Sequence, residues 1–369
     1  VKAMKGRKRL DFILLFAVLA LVGIGIVMVY STSAILAGDR FGDPYYFLKR
    51  QALYAAVGFV LMLVMMFLPH ETLKRVAYPI LIFSVLLLVV VLVPGIGHRS
   101  GGAMRWLKIQ SFSFQPSEFA KLGLVIFLAY LLAKKEEKIR SFSFGFLPPV
   151  LLSGLVIALV MKEPDFGAAF FLTVMVFLLL FVSGARVIYI VGAFLIAIPV
   201  AYALLMNVGY RYKRLMSFIR PWEDPGGTSF QIIQSFLSFG SGGLFGLGLG
   251  EGRQKLFFLP APHTDFIFSV IGEELGLLGA MVVVLLFFIV ALRGIQIALS
   301  LEDRFGVYLA LGITLMISLQ AAINMGVVLG LLPTKGLTLP FVSYGGTSLI
   351  ANLAGVGILL HLSTHAERR

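Results

Sequence analysis

Residues 12–38 read FILLFAVLALVGIGIVMVYSTSAILAG, a run of 27 positions without a charged side chain. As an α-helix it would extend ~40 Å at ~1.5 Å per residue, more than the ~30 Å hydrocarbon core of a bilayer. The run follows Lys5-Gly6-Arg7-Lys8-Arg9, a basic start of the kind that precedes a secretory leader. A leader's apolar region is only ~7–15 residues, so this stretch is expected to stay as a first spanning helix.

The same pattern recurs along the chain. Charge-free windows cover 51–69, 76–97, 141–161, 166–185, 187–210, 275–292, 305–334 and 336–360. A further window, 122–133, becomes long enough if it starts near Pro116 and carries Glu118 and Lys121 inside it. Each approaches or exceeds the ~18 residues that mark a spanning helix. The expected fold is therefore an all-α polytopic membrane protein of about ten transmembrane helices, forming a single integral membrane domain over 1–369.

Composition agrees. Apolar residues make up 59% of the chain and charged residues 13%, with 33 phenylalanines. A water-soluble surface needs about 25% charge, so the apolar side chains must face lipid. The net charge of +13 would suggest nucleic acid on a soluble protein. Here the basic residues fall in short gaps between apolar runs, where they set topology, and no nucleic-acid partner is expected. There is no cysteine, which excludes disulfides, thiolate nucleophiles and cysteine metal sites.

Placing the basic gaps 1–11, Lys74/Arg75, Lys134–Arg140, Arg186, Arg293–Arg304 and His361–Arg369 inside puts both termini in the cytoplasm. The outside segments are then 35–50, 95–115, 162–165, 207–274 and 331–346. The long extracytoplasmic loop 207–274, between helices 7 and 8, carries Arg211, Lys213, Arg214, Arg220, Arg253 and Lys255. An anionic ligand on the outer face and outer-leaflet phospholipid account for that charge equally well. The sequence shows no two matching halves of the kind inverted-repeat transporters carry.

Several residues in this loop are chemical candidates. The glycine run from Gly240 through Gly252 lacks the strand and helix that a phosphate-binding loop requires, so close backbone packing or a re-entrant turn is expected. Leu259-Pro260-Ala261-Pro262-His263-Thr264-Asp265 leads into an aromatic segment, and Asp265 alone reads as an N-cap or first-turn acid. No other histidine stands at ligand spacing from His263, so no zinc site is expected there. Glu273 and Glu274 either pair with loop cations or line a site. Glu118 and Lys121, three apart on one helix face, are expected to pair beside a polar cavity. Lys49, Arg50, Arg105, Trp106 and Lys335 add outer-face candidates, mostly cations, with few acids among them.

Read together, these motifs resemble the SEDS family of membrane glycosyltransferases. The matching residues are Arg105-Trp106-Leu107, Gln115 through Leu122, Pro164-Asp165-Phe166-Gly167, Gly242 through Gly250 and Arg253-Gln254-Lys255-Leu256. They continue with His263 through Phe268, Ile271 through Gly276 and Pro340 through Gly346. Lys255 through Pro260 and Leu332 through Pro340 look like the cell-division branch rather than the elongation branch. Two positions depart from the family pattern: Met104, where an arginine often stands, and Ala261-Pro262, in place of the usual Glu-Ala.

The resemblance implies polymerisation of septal peptidoglycan from lipid II at the outer face of the bacterial cytoplasmic membrane. It also implies a class B penicillin-binding protein transpeptidase and other divisome membrane proteins as partners. It makes Asp265 the catalytic carboxylate. Lys49, Arg50, Arg105, Trp106, Arg211, Arg214, Arg253, Lys255, His263, Lys335 and Ser343 are expected to bind lipid II or the nascent glycan strand. A divalent cation, Mg or Mn, is allowed beside these cations. A lipid II flippase and a non-catalytic divisome scaffold stay open as alternatives.

Overall fold

The computed structural model describes residues 10–100, 103–109, 112–206, 216–227, 229–252, 262–333 and 336–366. Ten long helices correspond to the ten apolar windows. They are α1 (Phe12–Phe41), α2 (Tyr46–Phe67), α4 (Ala77–Leu92), α5 (Pro116–Lys134), α6 (Leu147–Lys162), α7 (Phe166–Val182), α8 (Val187–Met206), α11 (Gly276–Leu299), α12 (Arg304–Val328) and α13 (Gly346–Ser363). Shorter helices among the described residues include α3 (His70–Arg75), α9 (Phe230–Gly242) and α10 (Ile267–Glu274). Among the described residues, seven segments are long and apolar enough to cross a membrane: α1, α2, α5, α11, α12, α13 and the helical stretch Phe142–Lys162 that contains α6. The remaining three are shorter apolar helices.

Local sequence sets the ends of these helices. Asp11 caps α1 by accepting from the Leu14 N–H at 3.0 Å, and Gly42 closes it in the left-handed conformation. Pro116 opens α5, where its missing N–H is harmless, and Asp165 caps α7 through the Ala168 N–H at 3.0 Å.

The core is formed by α5, α12 and α13. Of their apolar windows 83%, 67% and 89% is buried, against 28% for α2 and 33% for α11, which places the last two at the rim. Rim helices present Phe12, Phe16, Val60, Phe67, Ile82 and Phe288 outward, an apolar surface suited to lipid. The α2–α13 contact is close because Gly357 has no side chain: a Cβ there would overlap the Met62 carbonyl.

One feature departs from the all-α expectation. Residues expected to form an outer loop build a three-stranded antiparallel sheet, β1 (Gly97–Ser100), β2 (Ala103–Ile109) and β3 (Phe112–Phe114), in the order β1-β2-β3. His98 pairs with Trp106, and Leu107 with Phe114. The 207–274 region is likewise not all loop, since α9 and α10 lie within it, and every residue of α10 is buried.

The window 336–360 also departs from expectation. Helix α13 begins only at Gly346, and 336–345 runs as irregular chain. Pro340, the positive φ of 65° at Phe341 and the Gly345-Gly346 pair oppose helix there. Irregular backbone at membrane depth requires partners from within the protein, and buried amide side chains supply them.

The bundle has two distinct polar ends. At one, Arg293 grips Asp11 at 2.6 Å and Arg304 pairs with Glu136 at 2.8 Å. The other gathers the start of α2, the sheet, the 163–165 turn, the 262–266 turn and the 336–345 segment.

Candidate functional site

The site is built around three segments. Helix α2 starts with Tyr46, Phe47, Lys49, Arg50 and Gln51. The turn Pro262–Phe266 precedes α10, and the irregular segment 336–345 precedes α13. Hydrogen bonds tie them together. The Tyr344 N–H donates to the His263 carbonyl at 2.8 Å, and the Ser343 hydroxyl donates to the Thr264 carbonyl at 2.6 Å. Ser343 Oγ in turn accepts from the Leu339 N–H, and the Gln51 amide donates to the Ser343 carbonyl at 3.3 Å. The Phe47 ring lies 4.6 Å from the His263 ring and 5.1 Å from Tyr344.

Asp265 sits at this junction, half-buried. It is not the cap of α10: Phe266 holds that position and makes no side-chain capping bond. The Asp265 carbonyl accepts from the Asn324 amide at 2.8 Å, and the same amide nitrogen donates to the Leu337 carbonyl at 2.6 Å. Its carboxylate faces Gly336, where a Cβ would come 3.2 Å from Oδ2.

Behind the acid runs a buried polar ladder. Lys121, 1% exposed, contacts Glu118 Oε2 at 2.7 Å and donates to Gln320 Oε1 at 2.7 Å. The Gln320 amide donates to the Thr338 carbonyl at 2.9 Å, and the Thr338 hydroxyl donates to Ser348 at 3.2 Å. Lys121 also lies 5.3 Å from the Phe171 ring centroid. The Glu118–Lys121 pair therefore connects, through one glutamine, to the segment beside Asp265.

The expected cations take different positions. Arg50 lies 4.4 Å over the Tyr46 ring and hydrogen-bonds the Tyr344 side chain. Lys49 is exposed and pairs with Asp43 at 2.8 Å. Arg105, on β2, turns to the 163–165 segment: it donates to the Glu163 and Pro164 carbonyls and stands 3.6 Å from Asp165 Oδ2. Trp106 lies half-exposed on the same strand. Arg211, Arg214, Arg253, Lys255 and Lys335 lie outside the described residues.

Two groups near this end have displaced titrations. Burial, then the charge of Arg40, pushes the His263 imidazole down to about 4, so the ring is neutral, and its Nδ1 has no partner among the described residues. Burial, then the charge of Asp165, pushes Glu163 up to about 9 against the opposing pull of Arg105. Neither Glu163 carboxyl oxygen has a hydrogen-bond partner among the described residues. Asp165 is raised by burial too, with Arg105 and the Ala168 N–H opposing. One guanidinium cannot neutralise both acids. Arg105 stands beside Asp165, so Glu163 carries the proton.

The glycine run packs as close backbone. The Leu247 and Gly248 N–H groups donate to the Glu273 and Glu274 carbonyls at 3.0 Å each, and the Leu277 N–H donates back to Gly243 at 2.9 Å. Gly246 has φ 81°, and a Cβ on it would overlap the Glu274 carbonyl. Both acids are buried, and Glu274 accepts from the Ser31 hydroxyl at 2.6 Å.

The residues not singled out from sequence are Gln51, Gln320, Asn324 and Thr338. A count of charges passes over them, but a carboxamide inside a spanning helix is itself a signal.

A bundle whose apolar outer surface encloses amides and carboxylates at one end is the build of a multi-pass membrane protein with a polar site close to the bilayer surface. The type within that class follows from comparison. A model of the FtsW/RodA/SpoVE family, described as "Cell cycle protein", matches residues 12–368, and the chain belongs to that family. It is 49% identical to the "Probable peptidoglycan glycosyltransferase FtsW" of Geobacter metallireducens, covering 99% of this chain and 97% of that one. It is 43% identical to the "Stage V sporulation protein E" of Bacillus subtilis, covering 97% and 98%. Among solved structures, it matches a chain described under "Structural coordination of polymerization and crosslinking by a peptidoglycan synthase complex" with TM-score 0.79 and 34% identity, covering 96% of this chain and 97% of that one. The rod shape determining protein RodA of Thermus thermophilus matches with TM-score 0.71 and 32% identity, covering 98% of each.

Proposed function

We propose that this protein is a septal peptidoglycan glycosyltransferase that polymerises glycan strands from lipid II, with Asp265 as general base. The observation that carries the role of Asp265 is its placement. It is half-buried at a junction of three polar segments, lies one residue before the N-cap position of α10, and faces Gly336, which carries no side chain beside it.

The chemistry asks for one base. A sugar 4-hydroxyl attacks the anomeric carbon of the donor, the new glycosidic bond forms, and the bond to undecaprenyl pyrophosphate breaks. The electron pair leaves on the diphosphate, already a stabilised anion, and the hydroxyl proton goes to Asp265. Glycosidases need a second carboxylate to protonate a poor leaving group, and this reaction does not. Cations at this end of the bundle, Arg50 among the described ones, would hold the diphosphate. Among the described residues the acids around Asp265 do not gather as a three-ligand metal set. A divalent cation there would take most of its ligands from the diphosphate and water.

In this reading all ten long helices span the membrane, both termini are cytoplasmic and the Asp265 end faces outward. The charge pattern supports that orientation: among the described residues, Arg293, Arg304 and Lys74 gather at the opposite end. A class B penicillin-binding protein would cross-link the product as it emerges.

The test is glycan polymerisation by purified chain, supplied with its transpeptidase partner and lipid II in liposomes. Asp265→Asn is expected to lower the rate by at least about 100-fold, the lower range for general-base catalysis. Near-wild-type polymer from that variant would refute the assignment. Leaflet exchange of fluorescent lipid II without polymer would mean a flippase instead.

A further inference from the structure

Three histidines converge at the end of the bundle opposite Asp265. His70 opens α3, while His361 and His365 stand one helical turn apart where α13 ends. One ligand nitrogen from each lies within 4.8 Å of the others. His70 Nδ1 is 3.4 Å from His361 Nε2, with the His70 backbone N–H at the same distance. Two nitrogens on a tetrahedral ion with bonds of ~2.0–2.1 Å stand ~3.3–3.4 Å apart.

The other nitrogen of each ring supplies an independent observation. His361 Nδ1 lies 3.0 Å from the Met66 carbonyl, and His365 Nδ1 lies 3.2 Å from the His361 carbonyl. His70 Nε2 has the Asp303 and Glu71 carboxylates 3.7 Å away. In His70 and His361 an acceptor therefore faces the nitrogen turned away from the other ring, and in His365 an acceptor faces Nδ1. That pattern places the protons of His70 and His361 there and leaves their facing nitrogens as acceptors, with the His70 backbone N–H also donating to His361 Nε2 at 3.4 Å. Two lone pairs facing each other at 3.4 Å repel unless a cation or a proton lies between them. His365 is exposed, so an ion and a water ligand have access from solvent.

We propose that His70, His361 and His365 form a binding site for one divalent transition metal ion of the zinc class, with water in the fourth position. Neutral imidazoles and the absence of thiolates suit zinc, cobalt or nickel over magnesium and calcium, which prefer oxygen. The ion would tie α3 to the end of α13 beside the Asp303 cap of α12. It would act as a structural clamp remote from the catalytic end.

The test uses full-length chain in detergent, purified without a polyhistidine tag and stripped with chelator. Zinc binding is measured by equilibrium dialysis. Cobalt is used as a coloured substitute whose visible bands distinguish tetrahedral from octahedral coordination. The expected result is one ion per chain, tetrahedral cobalt bands, and an affinity lowered at least tenfold in His365→Gln and His70→Gln. His98→Gln, on β1, should leave binding unchanged. His365 is exposed, so its variant keeps the fold, and an unchanged metal-free melting temperature verifies this. Zinc should raise the melting temperature of the wild type and not that of His365→Gln. Absence of stoichiometric binding, or binding unaffected by His365→Gln, would overturn the proposal and leave a hydrogen-bonded histidine cluster.

Discussion

Glu163→Gln isolates a single buried proton. Glu163 is fully buried at the end of α6, and its carboxyl titrates at about 9 in the folded chain against an ordinary 4.5. The sign follows from proton counting. Below about 4.5 the acid is protonated in both folded and unfolded chains, and it contributes no pH dependence. Above that value the unfolded chain releases its proton while the folded chain keeps it, so stability falls as pH rises towards about 9. The slope is about 1.4 kcal/mol per pH unit, giving a loss on the order of 4 kcal/mol at pH 7.5 relative to low pH. A glutamine mimics the protonated acid in shape and charge and cannot titrate. Melting temperatures in detergent from about pH 5 to pH 9.5 should therefore diverge, the wild type declining and Glu163→Gln staying flatter, with the gap widening up to about pH 9. Parallel curves across that range would refute the argument, because they would mean that the carboxylate is already ionised when the chain is folded.

Two further substitutions probe the scaffold. Lys121→Met removes the partner of a buried carboxylate and should destabilise the chain by about 3–5 kcal/mol in a denaturant or thermal melt. Adding Glu118→Gln should restore most of that loss, since the stranded charge is then gone. Gly246→Ala forces a side chain into the left-handed region, costing about 1–2 kcal/mol before the overlap with the Glu274 carbonyl is counted. Its signature should be faster proteolysis between α9 and α10, and wild-type cleavage rates would show that this backbone can yield.

Much of the fold was legible because lipid imposes a simple rule. Spanning segments must be apolar, and the ten windows found by the absence of charge match ten helices. The same rule hid what it does not measure. Gln320 and Asn324 lie in the 305–334 window, yet they hold the 336–345 segment and the Asp265 carbonyl. An apolar run also cannot distinguish helix from enclosed irregular chain. The local signs at Pro340 and Gly345-Gly346 were present, but the window 336–360 outweighed them. The strands at 97–100, 103–109 and 112–114 lie between two apolar windows, where a count of charges reads only a loop. Long-range pairings were beyond any local reading: Arg105 meets Glu163 across 58 positions, and His70 meets His361 across 291. The i, i+4 spacing of His361 and His365 was visible, but it has meaning only once His70 is brought beside it.

The carbonyls of Leu337, Thr338 and Ser343 are all held by carboxamides, from Asn324, Gln320 and Gln51. A carboxamide neither gains nor loses a proton across the physiological range, so these three tethers are indifferent to pH and weakly sensitive to salt. The ionic pair that the segment leans on, Glu118 with Lys121, sums to zero. The floor beneath Asp265 thus adds no net charge of its own.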